Sequence, residues 1–183
     1  TADLDLALRA ILFSAIGTAG QRCTSLRRLF LHDGIAKKLL DRLKPAYASA
    51  KIGDPRVKGT LVGPLIDRQA FDAMQAALEE ARKQGAKVTG GERLLAKKYP
   101  DAYYVRPAIV ECDRVSALIR RETFAPILYV LRYSDFEAAL RLHNDVPQVL
   151  SSSIFTNDLR EAETFLSAVG SDCGIANVNI GPS

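Results

Sequence analysis

The sequence feature that most constrains the fold is an unbroken apolar run at residues 127–131, Ile-Leu-Tyr-Val-Leu. A strand with one face in water alternates apolar and polar side chains, whereas a continuous apolar run is expected for a strand buried on both faces. Such strands occur in parallel sheets whose two faces are covered by helices. The run therefore predicts a buried strand in a domain that combines a sheet with helices.

Short apolar segments alternate with amphipathic helices along most of the 183 residues. The predicted helices are 3–16, 35–43, 67–85, a short one from 116, 136–143 and 158–169. The predicted strands are 29–31, 87–89, 103–110, 127–131, 150–156 and 174–180. This alternation predicts an α/β fold with a largely parallel sheet flanked by helices, and the length fits one domain.

Three of these helices have recognisable start signals. Asp67 is placed to cap the helix that follows it. Ser134 and Glu137 lie three residues apart, which is the spacing of a capping box, where each side chain bonds an exposed backbone N–H. Asp158 with Glu161 opens the last helix in the same manner. These signals place the beginnings of the helices more sharply than their ends.

One stretch is arranged for chemistry: residues 17–25, Gly-Thr-Ala-Gly-Gln-Arg-Cys-Thr-Ser, which close the first helix. Its glycines permit backbone conformations and close ligand approach that other residues forbid. Cys23 lies beside Arg22, and a thiol reacts as the thiolate, which a nearby cation favours. A lone cysteine is also commonly a small buried hydrophobe, but both flanks of Cys23 are polar or small. Cys23 is therefore a candidate nucleophile.

The charges of the chain argue against a nucleic-acid partner. Twenty-five basic and 21 acidic residues give a net charge of +4. The basic residues are dispersed, and the densest spots are isolated pairs such as Arg27–Arg28 and Arg120–Arg121. A nucleic-acid surface concentrates positive charge on one face. We interpret the pairs as parts of solvated helix faces.

The three cysteines, Cys23, Cys112 and Cys173, are odd in number and widely spaced, which fits neither a disulfide framework nor a metal site. A reducing compartment is therefore expected, and we predict a cytoplasmic protein with Cys112 and Cys173 in structural roles. No apolar run approaches the ~18 residues of a membrane span, and no glycine-rich phosphate loop is present. We accordingly predict no metal and no membrane partner.

A second segment, Glu122-Thr123-Phe124-Ala125-Pro126, pairs with the cysteine loop. Together they resemble the aldehyde dehydrogenase superfamily, whose members carry a Gly-Gln-x-Cys loop after a helix and later a Glu-x-Phe-Gly-Pro-like segment; here Ala125 replaces the glycine. Three further segments look like family segments in family order: 62–66, 152–158 and 177–179. The match is closest to the antiquitin-like subfamily, the α-aminoadipic semialdehyde dehydrogenases, through 20–24, 122–128 and 170–175.

The resemblance assigns roles to individual residues. It implies that Cys23 attacks an aldehyde carbon, and that the thiohemiacetal loses hydride to NAD (or NADP) and leaves a thioester that water hydrolyses to the acid. It implies that Glu122 binds the nicotinamide ribose hydroxyls, that Phe124 packs near the ribose and nicotinamide, and that Arg22 and Thr24 contact the substrate, such as a semialdehyde of lysine catabolism. From the residues alone, the favoured interpretation of Glu122 is a helix-end carboxylate paired with Arg120 or Arg121, and that of Phe124 is a core residue. Arg22 fits a solvated loop as well as it fits a substrate contact.

The resemblance also sets the expected extent of the domain. The family's dinucleotide-binding domain, its glutamate general base and an oxyanion-hole asparagine would all precede Thr1. We therefore expect residues 1–183 to be a catalytic domain incomplete at both ends, inactive alone, from a parent that forms a homo-oligomer. The alternative is a non-catalytic excised or decayed domain that serves in assembly, with Cys23 inert.

Overall fold

A computed structural model describes residues 1–147 and 149–183 of the chain. Its helices are α1 (Leu4–Ile16), α2 (Asp33–Ser49), α3 (Arg68–Lys83), α4 (Ala117–Arg120), α5 (Phe136–Asn144) and α6 (Leu159–Leu166). Its strands are β1 (Arg28–His32), β2 (Lys87–Thr89), β3 (Arg93–Leu94), β4 (Tyr104–Val105), β5 (Ala108–Cys112), β6 (Ile127–Tyr133), β7 (Ser151–Ile154) and β8 (Ile175–Val178). The α/β class predicted from the sequence is confirmed.

The main sheet has the strand order β1-β6-β5-β2. Strand β6 lies between β1 and β5 and is parallel to both, with Tyr129 opposite Arg28 on one side and Val110 on the other. Strand β2 joins the outer edge of β5 in the antiparallel direction. All five residues of the apolar run 127–131 are buried, so the prediction from this run is confirmed and the largely parallel sheet is built around it.

Helices cover this sheet with their apolar faces. Helix α2 packs on β1 and β6, α3 on β2, and α5 on β6. The side chains that close the core from the helices are almost fully buried, among them Ile11, Ile16, Leu39, Leu43, Met74 and Leu78. Asp67 caps α3 by accepting the backbone N–H of Ala70 at 2.8 Å, as the sequence predicts.

The last two strands form a separate small sheet. Strands β7 and β8 pair with each other in parallel, Ser151 opposite Ile175, and α6 connects them. Asn179 fastens the end of this unit, because its side-chain amide donates to the carbonyl of Thr156 at 2.9 Å and accepts from the Thr156 N–H at 3.0 Å. Two of the segments that carry the family resemblance, 152–158 and 177–179, are thus brought together.

Several boundaries differ from the sequence prediction. The expected strand 103–110 is two strands, because Pro107 has no N–H to continue a ladder and the chain passes from β4, paired with β3, to β5 in the main sheet. The capping box at Ser134 is wrong: Asp135 is the cap of α5 and accepts the N–H of Ala138 at 2.7 Å. Helix α6 ends at Leu166, short of the predicted 169.

Candidate active site

The cysteine loop leaves α1 through an unusual backbone path. Thr18, Ala19 and Gly20 follow one another with φ of 55°, 53° and 66°, a left-handed conformation that residues with a Cβ rarely adopt. The loop then returns to the helix, where the Leu26 N–H donates to the Ser14 carbonyl at 2.9 Å. Cys23 lies at the turn between these points and is exposed. The sequence therefore folds to present this thiol rather than to bury it.

The loop packs directly on the second segment of the resemblance. A Cβ added to Gly20 would lie 2.6 Å from the Ala125 carbonyl oxygen and 2.7 Å from the Pro126 Cα, closer than side-chain carbons approach backbone atoms. Only glycine fits this contact. The two segments that the sequence singled out, about a hundred residues apart, are thus in van der Waals contact.

Gln21 fixes a third segment to the same loop. Its side-chain oxygen accepts the N–H of Ile66 at 2.8 Å, and its side-chain nitrogen donates to the Pro64 carbonyl at 3.3 Å. The segment 62–66 is therefore positioned by the glutamine two residues before Cys23. Sequence reasoning matched both segments to the family without predicting this contact, since nothing local in either segment indicates the other.

Arg27 joins the cysteine loop to Glu122 and Phe124. Its guanidinium lies 3.3 Å from the Glu122 carboxylate and 5.0 Å from the centre of the Phe124 ring. It also donates to the Thr123 carbonyl at 2.5 Å and to the Arg22 carbonyl at 3.4 Å. Burial lowers the pKa of Arg27 from its ordinary value, whereas the negative charges of Glu122 and Cys23 act to raise it.

The predicted alternative partners of Glu122 lie elsewhere. Arg120 pairs with Asp145, and Arg121 pairs with Glu80 at 2.8 Å. Sequence reasoning treated Arg27 only as part of a basic pair, and its place between the two segments was missed. The signal that could have found it is its position four residues after Cys23, where the loop turns back towards the sheet.

Arg22 and Thr24, the predicted substrate contacts, point to different neighbours. The Arg22 guanidinium lies 5.0 Å from the centre of the Phe13 ring, at the end of α1, and its backbone N–H donates to the Ser25 hydroxyl at 3.0 Å. The Thr24 hydroxyl donates to the Ser183 hydroxyl at 2.9 Å. Both residues remain predictions as substrate ligands, on either side of the exposed thiol.

A cleft of about 770 Å³, lined in part by Cys23, extends between β1, α5 and β7. Glu122 and Phe124 lie on its wall together with Arg27, and Glu122 is the one carboxylate among the described residues that line it. The Phe124 ring is 43% exposed. A carboxylate beside an exposed aromatic ring fits the vicinal hydroxyls and the flat ring of a nicotinamide nucleoside, because carboxylate oxygens only accept hydrogen bonds.

Cys112, Cys173 and His143 are partly buried, and Cys173 and His143 form hydrogen bonds with serine hydroxyls. Burial raises the pKa of the Cys112 thiol to about 11, and Cys173 accepts a hydrogen bond from the Ser152 hydroxyl at 2.9 Å. His143 bonds the Ser171 hydroxyl at 2.8 Å, and burial lowers the pKa of this imidazole to about 4. Cys23 therefore stands apart from these three as the exposed thiol that lines the cleft.

Residues 1–147 and 149–183 contain neither a metal-ligand cluster nor a helix that could span a membrane. Three or more His, Cys, Asp or Glu side chains nowhere gather closely enough to hold a metal ion in this part of the chain. Within the same ranges, every helix is too short or too polar to cross a membrane.

Comparison with known proteins decides the family. The aldehyde dehydrogenase family profile matches residues 1–183. The chain belongs to the aldehyde dehydrogenase family. Among its aldehyde dehydrogenase relatives is the α-aminoadipic semialdehyde dehydrogenase of Mus musculus, which is 47% identical over 180 residues, covering 98% of this chain and 33% of the mouse protein. The subfamily resemblance predicted from the cysteine loop and from 122–128 is thereby confirmed.

Solved aldehyde dehydrogenase structures share the fold of this chain. The lactaldehyde dehydrogenase of Escherichia coli superposes with a TM-score of 0.92 at 29% identity, over 100% of this chain and 38% of that one. PnpE from Pseudomonas sp. WBC-3, in a structure with nicotinamide adenine dinucleotide, gives 0.92 at 29% identity over 100% of this chain and 37% of that one. The chain spans about a third of the length of the curated relatives it matches.

Proposed function

We propose that these residues supply the nucleophile and part of the cofactor site of an enzyme that oxidises an aldehyde to a carboxylic acid with NAD (or NADP). The observation that carries the proposal is the contact of Gly20 with the backbone of Ala125 and Pro126, which sets an exposed cysteine against the segment bearing Glu122. A structural cysteine needs neither the exposure nor the neighbour. The family membership of the chain supports the same reaction class.

The proposed covalent steps take place on Cys23. Its sulfur bonds to the aldehyde carbon, and the carbonyl oxygen becomes an alkoxide. The backbone N–H of Cys23 is the proposed donor to this oxygen, a placement that stabilises charge as it develops; no backbone carbonyl of the described residues accepts this N–H. Loss of hydride leaves a thioester on Cys23, and attack by water releases the acid and the free thiol.

NAD, when bound, supplies the hydride acceptor for this reaction. We propose that Glu122 accepts the hydroxyls of its nicotinamide ribose and that Phe124 packs beside the ribose and the nicotinamide. Both side chains are exposed on the wall of the cleft that Cys23 also lines. This position supports the proposed roles. The complex of PnpE with nicotinamide adenine dinucleotide lends further support, since PnpE shares the fold over the whole of this chain.

We further propose a semialdehyde with a distant carboxylate as substrate, such as α-aminoadipic semialdehyde. The mouse relative is named for that compound. Arg22, next to the nucleophile, is the residue proposed to bind the carboxylate through a charge-assisted bond, with Thr24 as a second contact. Its guanidinium lies 5.0 Å from the centre of the Phe13 ring and 3.5 Å from the Phe13 carbonyl, and a bound carboxylate would add to these contacts.

The test of this function is NADH formation by the complete gene product with two six-carbon substrates, α-aminoadipic semialdehyde and hexanal. We expect kcat/KM to favour the semialdehyde, and Arg22→Gln to lower kcat/KM for the semialdehyde about tenfold without changing that for hexanal. Equal use of both aldehydes by the unmodified enzyme would reject the substrate class. The 183 residues alone are expected to form negligible NADH in this assay.

The competing proposal, an inert domain used in assembly, predicts ordinary reactivity of Cys23. We expect iodoacetamide at pH 7 to modify Cys23 at least tenfold faster than Cys112, because Cys23 is exposed whereas the raised pKa of Cys112, about 11, leaves little thiolate. Peptide mapping by mass spectrometry gives the rate at each cysteine. In the complete gene product, saturating NAD should protect Cys23 alone; a Cys23 rate that NAD leaves unchanged would favour the inert domain.

The remaining proposals concern the setting of the enzyme. Three unpaired cysteines support a reducing compartment, and we propose the cytoplasm. We also propose a homo-oligomer and a role in lysine catabolism, following the resemblance to the semialdehyde dehydrogenases. These proposals concern the complete gene product.

A further inference from the structure

We propose that Arg27 is a positioning residue that holds Glu122 and Phe124 in their cofactor-binding arrangement and ties them to the nucleophile loop. The inference rests on the proposed function, because it assigns to Arg27 the task of orienting the proposed cofactor ligands. Arg27 itself contacts neither the reacting sulfur nor the aldehyde in this assignment. Its effect passes through the side chains and carbonyls that it bonds.

The first support is the number of groups on the one guanidinium. It bonds the carbonyls of Arg22 and Thr123, which precede Cys23 and Phe124 in the two segments, at 3.4 and 2.5 Å. The same group approaches the Glu122 carboxylate at 3.3 Å. A guanidinium has five N–H donors in a fixed plane, so it can hold several acceptors in one geometry, which a lysine ammonium cannot.

The second support is burial. The Arg27 side chain is 20% exposed, whereas the Glu122 side chain is 61% exposed. Burial lowers the pKa of Arg27, which means that removing this positive charge from water costs free energy. The groups that offset this cost are the Glu122 carboxylate and the carbonyls of Thr123 and Arg22, which belong to the two segments of the site. Surface pairs such as Arg121–Glu80 lack this burial.

The third support is the second carboxylate oxygen of Glu122, which the ion pair with Arg27 leaves free. Arg27 contacts Oε1 of Glu122, and a carboxylate has two oxygens that accept hydrogen bonds. Held by one oxygen, the exposed Glu122 keeps the other for a ribose hydroxyl. The Phe124 ring, 5.0 Å from the guanidinium carbon, is fixed at the same time by a cation–π contact. Arg27 thus reduces the freedom of both proposed ligands before the cofactor binds.

Arg27 also bears on Cys23 through the backbone. Its guanidinium donates to the carbonyl of Arg22, the residue that precedes the nucleophile, at 3.4 Å, so loss of Arg27 frees the loop that carries the thiol. We therefore expect one substitution at Arg27 to change two properties, the affinity for NAD and the reactivity of Cys23.

The experiment measures both properties in the complete gene product. Arg27→Gln is expected to raise the Kd for NAD about tenfold by calorimetry, as for loss of one charge-assisted contact, and to change the rate of alkylation of Cys23 at pH 7 at least about twofold. Arg27→Lys keeps the charge but loses the planar fork that holds several acceptors, so both properties should change in this variant as well. The KM for the aldehyde should stay within twofold in both variants.

Arg121→Gln is the matched control, because it removes a neighbouring surface cation that pairs with Glu80. It should change neither property. A double-mutant cycle completes the test: in a Glu122→Gln background, Arg27→Gln should raise the Kd by clearly less than tenfold, since the part of its effect that passes through Glu122 is already lost.

Four outcomes would overturn the inference. Arg27→Gln indistinguishable from Arg121→Gln would do so, as would a full tenfold effect of Arg27→Gln in the Glu122→Gln background. If Arg27→Gln does not fold, Arg27→Lys decides, and a normal Kd in that variant rejects the role. A normal Kd in Glu122→Gln would reject the proposed cofactor role of Glu122 together with the inference, which separates the two failures.

Discussion

Cys23→Ala is expected to lower the kcat for aldehyde oxidation by at least about 10⁴-fold in the complete gene product, because alanine cannot form the covalent intermediate. The Kd for NAD should stay within about twofold, since the proposed cofactor ligands Glu122 and Phe124 are unchanged. The fold should also persist, because Cys23 is exposed. Steady-state kinetics, calorimetry and thermal unfolding measure these three properties.

Cys112→Ala is the control for this result. Cys112 is half-buried at the end of β5, so its substitution tests whether loss of any thiol affects turnover. We expect its kcat to stay within twofold of normal, with a modest loss of stability from the small cavity. Turnover that survives in Cys23→Ala would remove Cys23 from the mechanism.

Gly20→Ala is expected to damage both stability and turnover. The added Cβ would lie 2.6 Å from the Ala125 carbonyl oxygen, and φ at Gly20 is 66°. The left-handed conformation costs about 1–2 kcal/mol for a residue with a Cβ, and forcing atoms into a packed site costs about 1–3 kcal/mol more. We expect a loss of about 2–5 kcal/mol in the free energy of unfolding. The loop must also shift against Glu122 and Phe124, and a misplacement of about 1 Å can lower kcat about 100-fold.

Gly85→Ala separates the two causes. Gly85 has a φ of 85° with no atom within 4 Å of the added Cβ, so it carries the backbone strain without the collision. We expect a loss of about 1–2 kcal/mol and normal turnover. Chemical denaturation and kinetics of both variants give the comparison. Equal effects of the two substitutions would contradict the close contact between the cysteine loop and the 122–126 segment.

The fold was predictable where a local pattern carried the information. The apolar run 127–131 has no polar member to place at a surface, and it became the inner strand β6. The cap at Asp67 was predictable because a capping side chain bonds a backbone N–H within the next three residues. The strand 103–110 was predicted as one piece because Pro107 is compatible with a bulge, and only the pairing of β4 with β3 shows that the chain changes sheets there.

The site was predictable as a set of segments but not as an arrangement. Cys23 could be proposed from its polar, glycine-rich flanks, and the resemblance supplied roles for Glu122 and Phe124. The bonds of Gln21 to 64 and 66 and of Arg27 to Thr123 join residues 43 to 96 positions apart. No spacing within one segment can encode such partners, because the sheet brings them together only after folding.

Locating the covalent intermediate tests most directly whether Cys23 is the nucleophile. The complete gene product, mixed with NAD and a semialdehyde and quenched in acid within one turnover, is digested and analysed by mass spectrometry. We expect the peptide that contains Cys23 to gain the mass of the aldehyde less two hydrogens, because the hydride leaves the aldehyde carbon and the proton leaves the thiol. Acyl mass on the peptides of Cys112 or Cys173, or turnover with no acylated cysteine under these conditions, would contradict this expectation.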